Sequence, residues 1–276
     1  MEKETKDTDL MTDIGRIPES WLFVPCRERF LSAPEKLECA DNVIFDLEDS
    51  LKPSEKDEGL KALCSMRQTR SYEGQGVYVR INKDAPEKEL TALKDLDIDG
   101  FMFPKFEDTK DLDRYGSLIG SKKVVPLIET CKGIVELEHF SSDKRIYALA
   151  LGGEDYCSSM GTATNDDALF LARSRIALYA KAAGKKAIDT ISTEFRDRAA
   201  FERSLQKSAD LGFDGKLMIH PFQAGIALDL QRKIPKEALQ DIIKEFESSK
   251  EGAVIINGSL YEKPHIERLK KIIKGE

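Results

Sequence analysis

Short hydrophobic runs alternate with longer amphipathic segments along most of this 276-residue chain. Each run is bounded by polar residues, proline or glycine. A short apolar run between turn signals is typical of a strand that is buried on both faces of a sheet. The runs of this kind are Leu22–Pro25, Val43–Leu47, Val77–Ile81, Gly100–Pro104, Val124–Ile128, Ile146–Gly152, Lys186–Asp189 and Gly215–His220.

The segments between these runs have helical patterns. Pro86–Leu96 repeats leucine every third position, which is the spacing of one helix face. Asp166–Ala183 is long and rich in alanine, and Phe195–Leu211 ends before Gly212, a common helix stop. Strands that alternate with helices predict a parallel sheet in the α/β class. Eight such units in roughly 200 residues predict a closed TIM (β/α)8 barrel.

The two ends of the chain depart from this repeat. Residues 1–15 are polar with mixed charge and predict a flexible tail, whereas residues 16–230 hold the predicted barrel. Residues 231–276 predict a helical or lid extension with an amphipathic helix over Pro235–Ser249, a strand or hairpin, and a last helix. This extension is either a cap over the barrel surface or a lid or inter-subunit arm, and the pattern favours neither.

Composition and charge restrict the class of protein. Charged residues make up 34% and hydrophobic residues 41%, with a net charge of −7, which predicts a soluble globular protein that binds neither nucleic acid nor membrane. No apolar run approaches the roughly 20 residues that span a bilayer, and no secretory signal is visible, so we expect a cytoplasmic protein. Five cysteines without a C-x-x-C pair disfavour a structural zinc site.

Polar and mostly acidic residues are concentrated where the predicted strands end. The carboxyl ends of parallel strands meet at one rim of a barrel, where such folds place their chemistry. The predicted rim groups are Arg27, Arg29, Asp46, Glu48, Asp49, Arg80, Lys105, Glu129, Glu154, Asp155, Asp189 and His220. Oxygen ligands favour a hard divalent ion, with Mg²⁺ the first expectation. Glu129 and Asp155 are the predicted metal ligands, unless they serve as a helix cap or in a structural ion pair.

Arg80 is the one cation in an apolar strand and has two interpretations. It either forms a salt bridge with a rim carboxylate such as Asp46 or Asp49, or it binds a substrate carboxylate or a developing enolate oxygen. At least one of Asp46, Glu48 and Asp49 is expected to support Arg80 or metal-bound water.

Three other rim residues have less favoured catalytic interpretations. Cys26 has no activating histidine close in sequence, so we expect it to pack. His220 is expected to hydrogen-bond neighbouring strand ends rather than catalyse. Lys105 could form a Schiff base, but a metal mechanism would make an imine redundant.

Eight short strings occur in one order that resembles a known family. They are Trp21–Pro25, Phe45–Asp49, Val79–Asn82, Phe103–Lys105, Leu127–Thr130, Gly152–Asp155, Ala172–Arg175 and Gly212–Pro221. Together they resemble the citrate lyase β-subunit-like group of the HpcH/HpaI aldolase superfamily, which includes malyl-CoA, citramalyl-CoA and citryl lyases. The resemblance covers nearly the whole chain.

This resemblance implies a Mg²⁺-dependent carbon–carbon lyase on a TIM barrel, assembled as a homotrimer or hexamer. Glu129 and Asp155 correspond to its metal ligands, and Arg80 to the residue that contacts the oxo acid or the thioester oxygen. The family's acid–base carboxylate lies in the C-terminal lid, often supplied to a neighbouring subunit, and Glu262 stands at that position.

The predicted site is completed by residues around these groups. Asp49 is assigned to the catalytic set with Arg80 and Glu262. Strand alternation is expected to turn the Glu154 side chain away from the metal. The predicted substrate-binding residues are Arg80, Glu129, Pro25, Gly153 and Glu154.

The implied reaction is reversible retro-Claisen cleavage of a 3-hydroxyacyl thioester, such as citryl-, malyl- or citramalyl-CoA, into a 2-oxo acid and an acyl thioester on CoA or an acyl carrier. Two positions depart from the family pattern. Cys26 replaces a glycine, and its side chain leaves less room for the acyl carrier to approach the main chain of this loop. Glu262 replaces an aspartate. Two alternatives stay open, a metal-dependent aldolase on free 2-oxo acids and a non-catalytic subunit or binder of CoA esters.

Overall fold

The computed structural model describes residues 17–69, 72, 74–249 and 251–274. Backbone contacts separate a compact unit over Pro18–Leu228 from a second one that includes Asp229–Glu276. The predicted division at residues 15 and 230 stays a prediction about folding domains, and the predicted tail over residues 1–15 lies outside the described residues.

The first unit is a closed barrel of eight parallel strands, in which each strand pairs with the next and the last pairs with the first. The strands are β1 (Glu19–Pro25), β2 (Asn42–Asp46), β3 (Gly76–Arg80), β4 (Gly100–Phe103), β5 (Lys123–Ile128), β6 (Ala148–Leu151), β7 (Lys186–Asp189) and β8 (Gly215–Met218). Every predicted run overlaps one of them, and the predicted TIM barrel is confirmed.

Helices connect the strands on the outside of the barrel, with two short 3-10 turns at Pro34–Lys36 and Pro53–Glu55. They are α1 (Glu28–Leu31), α2 (Lys56–Thr69), α3 (Pro86–Leu93), α4 (Lys110–Ile119), α5 (Cys131–Val135), α6 (Leu137–Phe140), α7 (Gly153–Met160), α8 (Asp166–Ala182), α9 (Arg198–Asp210) and α10 (Pro221–Arg232). Side-chain caps fix the start of the two long helices after β6 and β7: Asn165 accepts from Ala168 N at 2.9 Å, and Asp197 from Ala200 N at 3.0 Å.

Several strand bounds differ from the sequence-based expectation, and two of these differences move candidate residues. β8 ends at Met218, so His220 lies in the turn before α10 rather than on the strand. β6 ends at Leu151, so Glu154 and Asp155 lie in the first turn of α7. Only Gly152 separates the end of β6 from the start of α7.

The barrel interior is filled by side chains that alternate along the strands, as expected for inward positions. They are Trp21, Ile44, Tyr78, Met102, Val125, Leu127, Ala148, Ala150, Ile188 and Leu217. The Trp21 and Tyr78 rings lie 4.6 Å apart. Gly215 provides the space for this pair, because a Cβ there would lie 2.6 Å from Trp21 Nε1.

The described residues of the second unit form the end of α10, two further helices and a hairpin. α11 (Lys236–Ser248) and α12 (Lys263–Lys274) flank the antiparallel strands β9 (Ala253–Ile256) and β10 (Ser259–Glu262). Its hydrophobic core consists of Ile243, Ile266, Leu269 and Ile272. Asn257 and Gly258 form the two-residue hairpin loop, both with positive φ, a conformation that favours these residue types.

Within the described ranges, no helix combines the length and the apolar character that crossing a bilayer would need. All five cysteines are free thiols.

Candidate active site

A cavity of about 380 Å³ opens at the rim where the barrel strands end. It brings together half of the twelve predicted rim groups, from segments that are far apart in sequence. Those that line it are Pro25, Asp46, Asp49, Arg80, Glu129, Gly153, Glu154 and Asp155, together with Phe23, Ser50, Gly152, Thr190 and several apolar side chains. Every lining residue belongs to the barrel unit.

Arg80 is held in the cavity wall by Asp46. Its Nε and Nη2 atoms each donate a hydrogen bond of 2.7 Å to one oxygen of the Asp46 carboxylate. Nη1 has looser contacts, at 3.3 Å from Asp49 Oδ2 and 3.3 Å from Glu48 Oε2. The guanidinium also lies 4.8 Å from the centre of the Phe23 ring. The predicted salt bridge with Asp46 therefore exists, and it uses only one edge of the guanidinium.

The acidic residues around Arg80 respond differently to burial. Burial raises the pKa of Asp46, but the hydrogen bonds and charge of Arg80 outweigh this and hold that pKa below its usual range. Burial raises the pKa of Glu48 to about 7, and the charges of Asp49 and Asp46 add to the effect. Glu48 Oε2 accepts no hydrogen bond from the described residues although it is buried. Asp49 is exposed to solvent.

Glu129 follows β5 and is almost completely buried, with 4% of its surface exposed. Its Oε1 accepts a 2.7 Å hydrogen bond from Lys105 N. Lys105 has a φ of 48°, in the region that non-glycine residues rarely adopt, so the turn after β4 is strained where it presents this N–H. Burial raises the pKa of Glu129 to about 8, and the negative charges of Glu48 and Asp155 add to the increase.

A glycine makes room for the Glu129 side chain. A Cβ on Gly152 would lie 2.5 Å from Glu129 Oε2 and 2.6 Å from Glu129 Cβ. The Asp155 carboxylate is half-exposed, with Oδ2 at 3.9 Å from Lys105 Nζ. Glu154 Oε2 accepts a 2.7 Å hydrogen bond from Thr164 Oγ1.

These donors fit a hard divalent ion. Among the described residues, no cluster of three or more His, Cys, Asp or Glu side chains could hold a metal, so an ion at the rim would have two carboxylates and further ligands from water or substrate. Glu129 forms no ion pair with a described basic side chain, and burial opposes its charge. A cation between Glu129 and Asp155 would neutralise both carboxylates and relieve this cost.

Asp189 was predicted at the rim, but its carboxylate points toward the helices instead. It is fully buried and accepts hydrogen bonds from Arg173 Nε at 3.0 Å, Lys216 Nζ at 3.3 Å and Ser208 Oγ at 2.6 Å. Burial opposes its charge, but these partners hold the pKa of Asp189 below its usual range. The next residue, Thr190, lines the cavity, and no pattern in the sequence indicates this position.

Other candidates lie outside the cavity. Burial raises the pKa of the Cys26 thiol, as expected for packing rather than nucleophilic chemistry. His220 was expected to bond strand ends; its ring instead stacks on Phe195 at 5.2 Å and accepts from Phe222 N at 3.1 Å. Arg27 is paired with Glu55 at 2.9 Å, and Arg29 lies 4.6 Å from the Phe30 ring.

Glu262 ends β10 in the second unit. Its side chain is exposed, and its main-chain N–H donates to His265 Nδ1 at 3.0 Å. Its role in the site therefore stays a prediction.

Comparison with known proteins agrees with the geometry. Residues 19–221 match the family description HpcH/HpaI aldolase/citrate lyase. The chain is 30% identical to the citrate lyase subunit beta of Leuconostoc mesenteroides subsp. cremoris, over 94% of this chain and 93% of that protein. It is 28% identical to a (3S)-malyl-CoA thioesterase of Cereibacter sphaeroides, over 90% of each chain.

A solved structure gives the same result. The citrate lyase beta subunit of Mycobacterium tuberculosis, complexed with oxaloacetate and magnesium, is 26% identical and superposes with a TM-score of 0.67, over 79% of this chain and 98% of that chain. The resemblance of the eight ordered strings is therefore confirmed by sequence and by structure. The chain belongs to the HpcH/HpaI aldolase/citrate lyase family.

Proposed function

We propose that this chain is a Mg²⁺-dependent carbon–carbon lyase. It cleaves a 3-hydroxyacyl thioester, such as citryl-, malyl- or citramalyl-CoA, into a 2-oxo acid and an acyl thioester, or joins the two in reverse. The observation that carries the proposal is the convergence of Arg80, Glu129 and Asp155 on one cavity at the barrel rim. The Mycobacterium relative, complexed with magnesium and the 2-oxo acid oxaloacetate, supports it.

Glu129 and Asp155 would hold Mg²⁺ through their carboxylate oxygens, with water and substrate as the other ligands. Bound there, the ion supplies Lewis-acid stabilisation of negative charge on the hydroxyl oxygen at the acid end of the substrate. The first-turn amide of Glu154 lies at the N-terminus of α7, which suits the substrate carboxylate. Gly153 supplies the close turn beside it, with its own N–H donated to Thr190 Oγ1. Pro25 and Phe23 supply an apolar wall.

Side chains of this protein transfer the protons and stabilise the negative charge of the enolate. The carbon–carbon bond breaks, its electron pair passes to the thioester half as an enolate, and the hydroxyl carbon becomes the oxo carbon. The exposed Asp49 carboxylate accepts the hydroxyl proton. Arg80 Nη1 donates to the enolate oxygen, while Asp46 fixes the guanidinium from the other edge. Glu262 protonates the enolate carbon, which completes the acyl thioester.

The assembly and the compartment are parts of the same proposal. A homotrimer or hexamer would allow Glu262 to act in a neighbouring subunit's site. Sedimentation of the purified chain measures this state directly, and a monomer would exclude the exchange. We also propose the cytoplasm as the compartment, where free thiols such as the five cysteines here persist.

The test uses the full chain with Mg²⁺ and each of the three CoA esters, and measures 2-oxo acid and free thiol separately. A lyase releases a 2-oxo acid while the thiol stays acylated. A thioesterase, the activity named for the Cereibacter relative, releases free thiol without a 2-oxo acid. Condensation of pyruvate with aldehydes would indicate the aldolase instead, and binding without turnover the non-catalytic binder. Absence of a 2-oxo acid from every ester, with Mg²⁺ binding intact, overturns the proposal.

A further inference from the structure

A second cavity, of about 620 Å³, lies at the end of the barrel where the strands begin. Three loops form it, those that lead into β5, β6 and β7. The candidate active site lies where the strands end, so the two cavities occupy opposite ends of the same barrel unit. The volume of this second cavity is within the range of pockets that hold small ligands. We refer to it as the basic pocket.

Each of the three loops contributes two consecutive cationic residues. The doublets are Lys122–Lys123, Lys144–Arg145 and Lys185–Lys186. None of the described residues that line the basic pocket is acidic, although the chain as a whole carries a net charge of −7. Gly120 and Gly184 stand before the first and third doublets with φ of 60° and 67°, so two of the loops turn through a conformation that glycine adopts without strain.

Half of these charges have carboxylate partners. The pairs are Lys123 with Asp99 at 3.5 Å, Lys186 with Glu19 at 2.7 Å, and Arg145 with Asp143 at 2.5 Å and Asp113 at 2.7 Å. The Tyr147 ring lies beside two of them, at 4.7 Å from Lys123 Nζ and 5.8 Å from Lys186 Nζ.

The other three ammonium groups form no ion pair with a carboxylate in the described part of the chain. Lys144 is exposed. The other two donate only to main-chain carbonyls: Lys122 Nζ to Leu96 O at 2.7 Å and Ile98 O at 3.2 Å, and Lys185 Nζ to Asp143 O at 2.6 Å and Ile146 O at 2.5 Å. Burial lowers the pKa of both Lys122 and Lys185. Nearby carboxylates offset this only in part, those of Asp97, Asp95 and Asp99 for Lys122 and that of Asp143 for Lys185.

We propose that the basic pocket binds a small polyanion with two or more phosphate groups, through Lys122, Lys144 and Lys185. Ammonium groups hold phosphate oxygens as compact point charges. One such anion would form the direct ion pair that none of the three ammonium groups has in the described part of the chain. The ligand is small rather than a nucleic acid, since the six cations are confined to one pocket of an acidic protein.

A purely architectural role explains less. Capping of loop carbonyls accounts for the positions of Lys122 and Lys185. It does not account for Lys144, nor for the convergence of three doublets from three separate loops without an acidic residue in the lining. Six like charges around one pocket repel one another, and only three of them form ion pairs with described carboxylates, so a bound anion would stabilise this end of the barrel.

The test is calorimetric titration of the full chain with inorganic pyrophosphate in metal-free buffer at low ionic strength. Metal-free buffer prevents complexes between pyrophosphate and Mg²⁺. Lys144→Glu is the principal variant, because this side chain is exposed and forms no hydrogen bond or ion pair with another described residue. We expect it to weaken binding about tenfold or more, the effect of one charge-assisted contact. Lys144→Gln should give a smaller loss in the same direction.

Lys61→Glu is the matched control, since Lys61 is exposed on α2 and does not line the basic pocket. It changes net charge equally and should leave the affinity unchanged. A parallel titration with adenosine diphosphate shows whether the pocket prefers a nucleotide or a bare diphosphate. Both ligands carry two phosphate groups, so a preference for either one supports the proposal. No binding of millimolar pyrophosphate, an unaffected Lys144→Glu variant, or equal weakening by both charge reversals overturns it.

Discussion

The main-chain N–H of Gly153 donates a 2.9 Å hydrogen bond to Thr190 Oγ1 inside the barrel unit. Gly153 opens α7, whose first turn carries Asp155, and Thr190 follows β7. A Cβ on Gly153 would lie 2.6 Å from the Thr190 hydroxyl oxygen, so the two segments fit closely only with glycine. The buried Lys216 Nζ donates to Thr190 O at 2.9 Å and holds the main chain of Thr190 in place. Thr190 is therefore a positioning residue for the start of α7.

Thr190→Val should weaken Mg²⁺ binding while the barrel stays folded. Valine keeps the shape but leaves the buried Gly153 N–H without its acceptor, which costs about 1–3 kcal/mol of stability. We expect about tenfold weaker Mg²⁺ binding by calorimetry, as for other residues that orient metal ligands. Thr190→Ser restores the hydroxyl and should restore the affinity. Equal Mg²⁺ affinity in the valine variant would show that Thr190 only stabilises the fold.

Gly152→Ala should displace Glu129. The new Cβ would lie 2.5 Å from Glu129 Oε2, a distance that forces the carboxylate or the turn to move. We expect the calorimetric signal of Mg²⁺ binding to disappear, with circular dichroism of the barrel unchanged.

Gly116→Ala is the control for that substitution. Gly116 lies within α4, nothing surrounds its Cβ position within 4 Å, and its φ is not positive. Alanine there should stabilise the chain by about 0.5–1 kcal/mol in urea unfolding and leave Mg²⁺ binding intact. Loss of binding in both variants would contradict the steric explanation.

The barrel was predictable because strands buried on both faces leave a strong sequence signal. Each of the eight hydrophobic runs overlaps an observed strand. The rim acids Asp46 and Glu129 follow from position alone, since the carboxyl end of each strand must reach the same rim. Strand ends were less certain, and His220 shows the consequence: it lies two residues past β8.

Side-chain direction was the part that the sequence did not reveal. Asp189 ends an apolar run as convincingly as Asp46 does, yet it points outward to Arg173 and Ser208. Its partner Lys216 belongs to the next strand, and both are fully buried between barrel and helices. Only the register of β7 against β8, which pairs Asp189 with Lys216, identifies this charge pair.

Arg80→Lys should reduce lyase activity more than it reduces stability. Lysine keeps the positive charge, but it cannot bond both Asp46 oxygens and also present Nη1 to the enolate oxygen. We expect kcat/KM for the preferred CoA ester to fall about 100-fold or more, the effect of losing one oxyanion donor. Arg198→Lys changes an exposed pair with Glu202 and should alter stability by less than about 1 kcal/mol. Unchanged kcat/KM in Arg80→Lys would show that Arg80 forms only a structural ion pair with Asp46 and does not stabilise the enolate.

Mg²⁺ should stabilise the protein more as the pH rises, because of Glu129. Burial raises the pKa of Glu129 from 4.5 to about 8. An acid whose pKa is higher in the folded state stabilises the fold below its unfolded pKa, and this stability is lost as the pH rises through the folded value. The metal-free protein therefore loses stability between pH 4.5 and 8, and Mg²⁺ on the carboxylate offsets the loss.

The measurement is the rise in melting temperature on adding Mg²⁺, across that pH range. It should grow with pH in the unaltered chain and disappear in Glu129→Gln, which cannot ionise. Calorimetry in buffers of different ionisation enthalpy should also detect proton release as Mg²⁺ binds below pH 8, because the ion displaces the Glu129 proton. Glu138→Gln, at an exposed glutamate of α6, should behave like the unaltered chain. A Mg²⁺ effect that is independent of pH would remove Glu129 from the metal site.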